Sequence, residues 1–498
     1  MARDNGGIIG VTNNPTSSTA TGVWSIESQY QARVGDTWPQ RALFASNAVR
    51  YNSSSSDYLR QVEGTAATSG TTYTFSTWLK RSKLGTDQTI FYNYINGSNF
   101  AQIYFRGPQK DIRYFDRVSG GDTCVGTTSP RLFEDSTGWM NVVLSVDTTQ
   151  SASADKVKFY INGEYLAFNF DNVPSTSQVL TLGSAGTRTV GANDSGGNNL
   201  DGYLSETILI DGQALDGTSF GTTNSDGVWV PIPYIGTYGN IGFNLQYGDA
   251  AALGTDSSPN ANTFTPSNLT SVDQSTDYPE VNNATLNPLI YTDSTISEGN
   301  LQYTSPGSNP VFGSLSSIGM GQGKWYGEVN YASGSNHYLV LGVADETFQN
   351  GSTTSSYDLG KSGTTSSIAY VVNTGAYRIN NSNTSWGSAG GDGQIIMWAI
   401  DKVNNKIYFG VNGVWGASSN PASNSGGIPT TALDSSTDWF IGCTNDTSGT
   451  ETVAQFNFGS PPYAISSGNA DANGYGNFEY AVPSGYYALN TANLAEFG

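Results

Sequence analysis

Along most of this 498-residue chain, apolar and polar positions alternate in short runs separated by clusters of Gly, Asn, Asp, Ser and Pro. Side chains that point to opposite faces in turn produce this period of two, so each run predicts a half-buried strand. The first group is TYTFSTWLKR (72–81), QTIFYNYI (88–95), AQIYFRG (101–107), DIRYFDRV (111–118), WMNVVLSVD (139–147), KVKFYINGEYLAF (156–168) and GYLSETILIDGQAL (202–215). The second is KWYGEVNYA (324–332), HYLVLGVAD (337–345), SSIAYVVN (366–373), QIIMWAID (394–401), KIYFGVNGVW (406–415), DWFIGCT (438–444) and VAQFNFG (453–459). Many short strands at regular spacing predict an all-β protein with two β-sandwiches. The segmentation is 1–41 as an N-terminal arm, 42–220 and 301–460 as sandwiches, 221–300 as a connector and 461–498 as a C-terminal tail packed on the second sandwich. Trp24 to Val34 is the best short helix, with Thr21 or Ser25 to cap it and Gly35 to end it. The connector is Pro/Asn/Ser/Thr-rich but also carries Trp229, Tyr234, Tyr238, Phe243, Tyr247 and Phe264, which need burial; it is therefore expected to be ordered.

One pattern occurs twice. WMNVVLSVD, a polar turn and KVKFYINGEYLAF are echoed by IIMWAID, KVNN and KIYFGVNGVW. Each copy has an apolar strand ending in Asp (Asp147, Asp401), a polar turn, a Lys (Lys156, Lys406), a second strand and Asn-Gly (Asn162-Gly163, Asn412-Gly413). Asn-Gly between alternating strands is the strongest short hairpin signal, because both residues tolerate φ > 0 in a type I′ turn. The shared order predicts a hairpin pair common to the two domains.

Composition narrows the function classes. Lys+Arg number 21 and Asp+Glu 41, a formal net charge of −20. With no basic cluster, nucleic-acid binding is excluded, since phosphate contacts need grouped Lys and Arg. No apolar run nears the ~20 residues of a membrane span, so membrane insertion is not expected. The opening MARDNGGIIGVTNN has neither a basic n-region nor a long apolar h-region, so no signal peptide is expected. Two distant cysteines, Cys124 and Cys443, and one histidine, His337, support neither a disulfide framework nor a multi-histidine metal site. Aromatics at 12% separate the chain from disordered sequences and supply cores.

Residues 42–215 resemble the laminin-G/pentraxin-like group of concanavalin-like lectin domains through FSTWLKR, GWMNVVLSVD, VKFYINGE and LDGYLSETILIDGQAL. Residues 300–460 resemble a SPRY domain through GKWYGEVNY, YLVLGVAD, SSIAYVVNTGAYRIN and IIMWAIDKVNNKIYFGVNG. Both resemblances imply antiparallel sandwiches of jelly-roll type. The order of lectin-like domain, connector, SPRY-like domain and a tail like YAVPSGYYALNTANL is similar to structural proteins of tailed phages. GVWSIESQYQARVGDTWP is similar to the N-terminal arms of such proteins, which would make Trp24, Tyr30 and Trp38 the attachment residues. This resemblance implies a virion location, on the tail or the capsid surface, with other virion proteins and a host surface glycan or protein as partners. By analogy with fibres it also implies a homotrimer.

Candidate chemistry is sparse. A retaining or inverting glycosidase needs two carboxylates facing one scissile bond. Glu328 is followed at two residues by Asn330, and Glu206 and Asp211 fall on opposite faces of an alternating strand, so no catalytic residue is assigned and no enzyme is expected. No cofactor is required. In NDSGGNNLD (193–201), Asp194, Asn198, Asn199 and Asp201 could offer oxygen ligands to Ca²⁺, as the lectin-type resemblance implies; an Asx-turn loop that satisfies its own backbone is the competing reading. DANGYGNFE (471–479) imitates an EF-hand start but has Tyr475 where Asp or Asn is wanted. Trp386, Trp415 and Tyr377 with Arg378 sit in loop-like or turn-flanking contexts beside amides, as in sugar-binding surfaces, with core packing as the alternative. Trp139 and Trp398 lie in apolar strands and read as core. The expected function is a non-catalytic tail fibre or spike subunit; the alternatives are a capsid decoration or head-fibre protein and a glycan-degrading tail enzyme.

Overall fold

The computed structural model describes residues 45–289, 294–305, 311–333, 339–349, 359–360, 366–445 and 451–498. The N-terminal helix, the attachment residues Trp24, Tyr30 and Trp38, and His337 lie outside the described residues.

Four main antiparallel sheets form two sandwiches. One sheet of the first runs Glu164–Leu166, Val157–Ile161, Met140–Asp147, Thr72–Arg81, Gly202–Asp211, Ala48–Tyr51, Gln274–Ser275, with Phe243–Leu245 also paired to Gly202–Asp211. Its mate runs Asn169–Asn172, Gly121–Thr127, Ile112–Val118, Asn99–Phe105, Gln88–Asn96, Thr187–Val190, Tyr58–Val62, Thr265–Ser267. The second sandwich pairs a sheet centred on Lys324–Ser333, Gln394–Asp401 and Lys406–Val411 with a sheet ordered Val311–Leu315, Trp439–Asn445, Leu339–Asp345, Ser367–Val371, Ala376–Ile379, Ser382–Ser385. The all-β reading therefore holds. Strand Thr72–Arg81 coincides with its sequence pattern, and so does Gln394–Asp401.

The repeated hairpin is the same device in both sandwiches. Asn162 and Gly163 have φ of 49° and 78°, and Asn412 and Gly413 have 46° and 83°. In the first, the Asn162 side chain accepts from Asn141 N–H at 2.8 Å while Asn162 N–H donates to Asn141 O at 3.0 Å. In the second, Asn412 does the same with Ile395, at 2.9 Å in both directions. Asn suits this place because it tolerates the left-handed conformation and its amide ties the turn to the start of the preceding strand. At the other end of each pair the aspartate caps the polar turn: Asp147 accepts from Thr149 N–H at 3.0 Å, Asp401 from Asn404 N–H at 2.8 Å.

The connector is part of the first sandwich. Its strands Phe243–Leu245, Thr265–Ser267 and Gln274–Ser275 extend both sheets, and Phe243, Tyr247 and Phe264 enter the first core, whereas Trp229, Tyr234 and Tyr238 are half-buried. From Ala284 onward the chain contributes to the second core.

The junction between the sandwiches is polar and buried. Lys80, 1% exposed, pairs with Asp277 at 2.8 Å and also donates to Asn282 Oδ1 at 2.7 Å and Asn283 O at 3.1 Å. Trp139 is not core: half-buried, it donates from Nε1 to the other Asp277 oxygen at 2.8 Å. Its strand starts one residue later, at Met140, which leaves Trp139 at the sandwich rim. Trp398 is fully buried. Arg50 reaches Asp273 at 3.2 Å and Pro461 O at 3.3 Å, and the Ser275 and Ser460 hydroxyls meet at 2.8 Å. Removing one partner of a buried ion pair strands the other. Lys80→Met is expected to cost about 3–5 kcal/mol, read as a lowered midpoint in chemical denaturation; an unchanged midpoint would show that the pair is dispensable.

Candidate functional site

Strand Lys324–Ser333 explains where a site can form. Trp325, Val329 and Tyr331 point into the second core, and Tyr326 and Glu328 point to the outer face, yet both are fully buried. The C-terminal segment covers them. Phe478, Tyr486 and Ala488 pack on Tyr326, Met397, Ala399 and Tyr408, and Tyr487–Ala488 pairs in parallel with Trp325 and Tyr326. Glu328 fastens this layer: its carboxylate accepts from Tyr326 OH at 2.8 Å, Tyr480 N–H at 2.8 Å and Glu479 N–H at 2.9 Å. Burial pushes its pKa up, and the two backbone donors oppose that shift. Asp471 is a second anchor, accepting from Asn473 and Tyr475 N–H with one oxygen and from Ala488 N–H and Asn493 Nδ2 with the other. The EF-hand-like DANGYG segment is thus a structural cap.

Where the covering segment leaves the sheet edge, an open cleft of about 550 Å³ remains. Asn330, Gly393, Ile395 and Asn412 line it from the sheet, and Tyr463, Ala464, Ser466, Glu479 and Tyr480 from the tail. Glu479 is held by Ser466 N–H at 2.7 Å, by the Ser466 hydroxyl and by the Ser467 hydroxyl at 2.9 Å; the Ser466 side chain is the largest of the effects that lower its pKa. A Cβ added at Gly413 would lie 3.0 Å from two Tyr480 ring carbons, so the Asn-Gly turn is the floor on which that ring rests.

The residues nominated from sequence fall elsewhere. Trp386 is half-buried, donates to Phe409 O at 3.1 Å and meets Tyr377 edge-on at 6.0 Å against the second core. Arg378 is 4% exposed and gives Nε and Nη2 to Leu359 O at 3.2 and 2.8 Å. As strand neighbours, Tyr377 and Arg378 point to opposite faces and cannot serve one ligand. Trp415 packs edge-on against Tyr326 and Tyr408 in the layer shared with Tyr480, beside the cleft rather than lining it. In the calcium candidate, Asn193 closes its own loop on Ser195 and Gly197 N–H, Asp201 spends its carboxylate on the Ser82 and Ser53 hydroxyls, and the Asp194 carboxylate is hydrogen-bonded to Tyr92. Asn198 takes a positive φ of 50° and accepts from Thr89 N–H through its carbonyl. Among the described residues no group of three His, Cys, Asp or Glu is placed to hold a metal ion. Neither Tyr463, Glu479 nor Tyr480 was nominated; their signal was the aromatic-rich NFEYAVPSGYY tail itself.

Glu206 has its own chemistry. A register shift between Ser205 and Ile208 places it at φ 47°, so strict alternation does not run through this strand and the face argument against Glu206 and Asp211 fails. Both are nevertheless engaged: Asp211 accepts from the N–H groups of Thr68, Ser69, Asn240 and Ile241. Glu206 is 4% exposed, and desolvation raises its pKa to about 8. Its folded pKa lies above the unfolded value, so the neutral acid stabilises the fold and that stability drains as pH rises from about 4.5 toward 8. Glu206→Gln is expected to flatten this decline by up to about 1.4 kcal/mol per pH unit, measured as denaturation midpoints from pH 5 to 8; an unaltered pH slope would refute the assignment. Glu328→Ala is expected to free the covering segment, read as new proteolytic cleavage within 461–490; a resistant tail would show that apolar packing alone holds it.

A family model described as the concanavalin A-like lectin/glucanases superfamily, laminin G type, matches residues 53–217. The match spans about a third of the chain, and that stretch is similar to laminin G-type domains of this superfamily. Solved structures similar to the chain include the SPRY domain of human HERC1, at 13% identity over 34% of this chain and 96% of that one (TM-score 0.28). Another is the native heptameric SAP-like pentraxin of Limulus polyphemus, at 17% identity over 34% and 78% (TM-score 0.26). A Bacteroides ovatus protein named for carbohydrate binding aligns at 12% identity over 46% and 59% (TM-score 0.31). No curated protein matches the chain.

Proposed function

We propose that this chain is a tailed-phage virion protein, a tail fibre or spike subunit that adheres to a host surface glycan or protein without catalysis. The lectin/glucanase-superfamily match at residues 53–217 carries the binding half of this reading. The virion half rests on the order of lectin-like domain, connector, SPRY-like domain and tail, with the segment around Trp24, Tyr30 and Trp38 attaching the chain to the particle. The absence of catalysis is supported by how the acids are used: Glu328 and Asp211 are saturated with backbone donors, and Glu206 is enclosed. A homotrimer would give weak surface contacts avidity. Placement on the capsid as a decoration or head-fibre protein uses the same domains and differs only in the attachment point.

The purified full chain is expected to bind cells of the host bacterium and to be displaced by that host's surface glycan or proteins, with label against residues 301–498 on the tail of the particle. Label on the head would replace the fibre with the decoration reading. Release of reducing ends from host polysaccharide would replace adhesion with hydrolysis, and no cell binding would refute adhesion.

A further inference from the structure

The cleft beside the C-terminal tail has a definite chemistry. On the sheet side, Asn412 commits Oδ1 to Ile395 N–H at 2.9 Å, which leaves Nδ2 as its donor. Asn330 commits Nδ2 to Gln455 at 2.9 Å, which leaves Oδ1 as its acceptor. On the tail side, Glu479 presents a carboxylate already oriented by the two serines. Tyr480, pinned through its own N–H to buried Glu328 and through its ring to Gly413, gives the cleft a rigid aromatic wall. Among the described residues no lysine, arginine or histidine lines the cleft, and its volume is within the about 300–1,000 Å³ typical of small-molecule sites.

An aromatic ring beside amides and one fixed carboxylate matches a pyranose, which has an apolar face of C–H groups and a rim of hydroxyls. Ser466 N–H, the Ser466 hydroxyl and the Ser467 hydroxyl take three of the carboxylate's roughly four acceptor positions, which leaves one, on the oxygen that faces Ser466 N–H, for a single sugar hydroxyl; the amides supply one donor and one acceptor at other positions. With no cation among the described lining residues, the same carboxylate repels an acidic sugar. We infer that this cleft is a saccharide site of the second sandwich, selective for neutral hexopyranosides over uronides, with Tyr480 as the stacking platform and Glu479 as the hydroxyl acceptor. The inference rests on the adhesin reading above and sharpens it: the C-terminal tail, outside both sandwiches, sets the ligand class.

The test uses the full chain against immobilised neutral hexosides, N-acetylhexosaminides and uronides, alongside host-cell binding. Wild type is expected to hold neutral hexosides and reject uronides. Tyr480→Ala is expected to lose at least about tenfold in affinity, Tyr480→Phe to retain it, and Glu479→Gln to weaken neutral sugars while admitting uronides. Tyr165→Ala, on an exposed strand of the first sandwich, serves as a surface control and should behave as wild type. An unchanged thermal midpoint in Tyr480→Ala separates loss of contact from loss of fold. Neutral-hexoside binding that persists undiminished in Tyr480→Ala and Glu479→Gln, or preference for uronides, would overturn the cleft while leaving adhesion intact; absent cell binding by wild type would remove the adhesin reading itself.

Discussion

A carboxylate with no solvent exposure is the constraint on which the second sandwich turns. Glu328 sits in the middle of a strand buried on both faces, and its carboxyl group is tolerable there only because donors converge on it. Two of those donors are consecutive backbone N–H groups of the C-terminal segment. The need to satisfy one side chain thus dictates the path of a distant stretch of chain. From that path follow the covered outer face, the aromatic layer of Tyr326, Tyr408, Trp415 and Phe478, and the cleft at its margin.

The junction between the sandwiches follows the same logic with the opposite charge. Lys80 is as buried as Glu328 and is matched by Asp277, two asparagine groups and, through Asp277, the Trp139 indole. Such an arrangement is directional, so it selects one relative placement where apolar contact would accept several. The two sandwiches are therefore expected to act as one body rather than as beads on a string.

Much of this architecture was legible in the chain. Alternation located the long strands, and the Asn-Gly echo located equivalent hairpins whose asparagines prove to make the same pair of hydrogen bonds. What escaped was governed by partners far away in sequence. Tyr377 and Arg378 looked like one surface because they are adjacent, but strand geometry separates them, and the core takes one while Leu359 takes the other. The Glu206 bulge broke the parity on which the face argument relied. The tail's tyrosines carried no periodic signal, because their placement depends on a carboxylate about 150 residues earlier.

The connector strands have a consequence for biosynthesis. Ala48–Tyr51 pairs with Gln274–Ser275, and Tyr58–Val62 with Thr265–Ser267, so one edge of each sheet of the first sandwich waits for residues made long after its centre. As the chain leaves the ribosome, those edges stay open with their backbone groups unpaired until residue 275 has emerged. Pro266 within the late-arriving strand Thr265–Ser267 suits that delay, since a proline lacks the N–H with which a strand pairs to the edge of a neighbouring nascent chain.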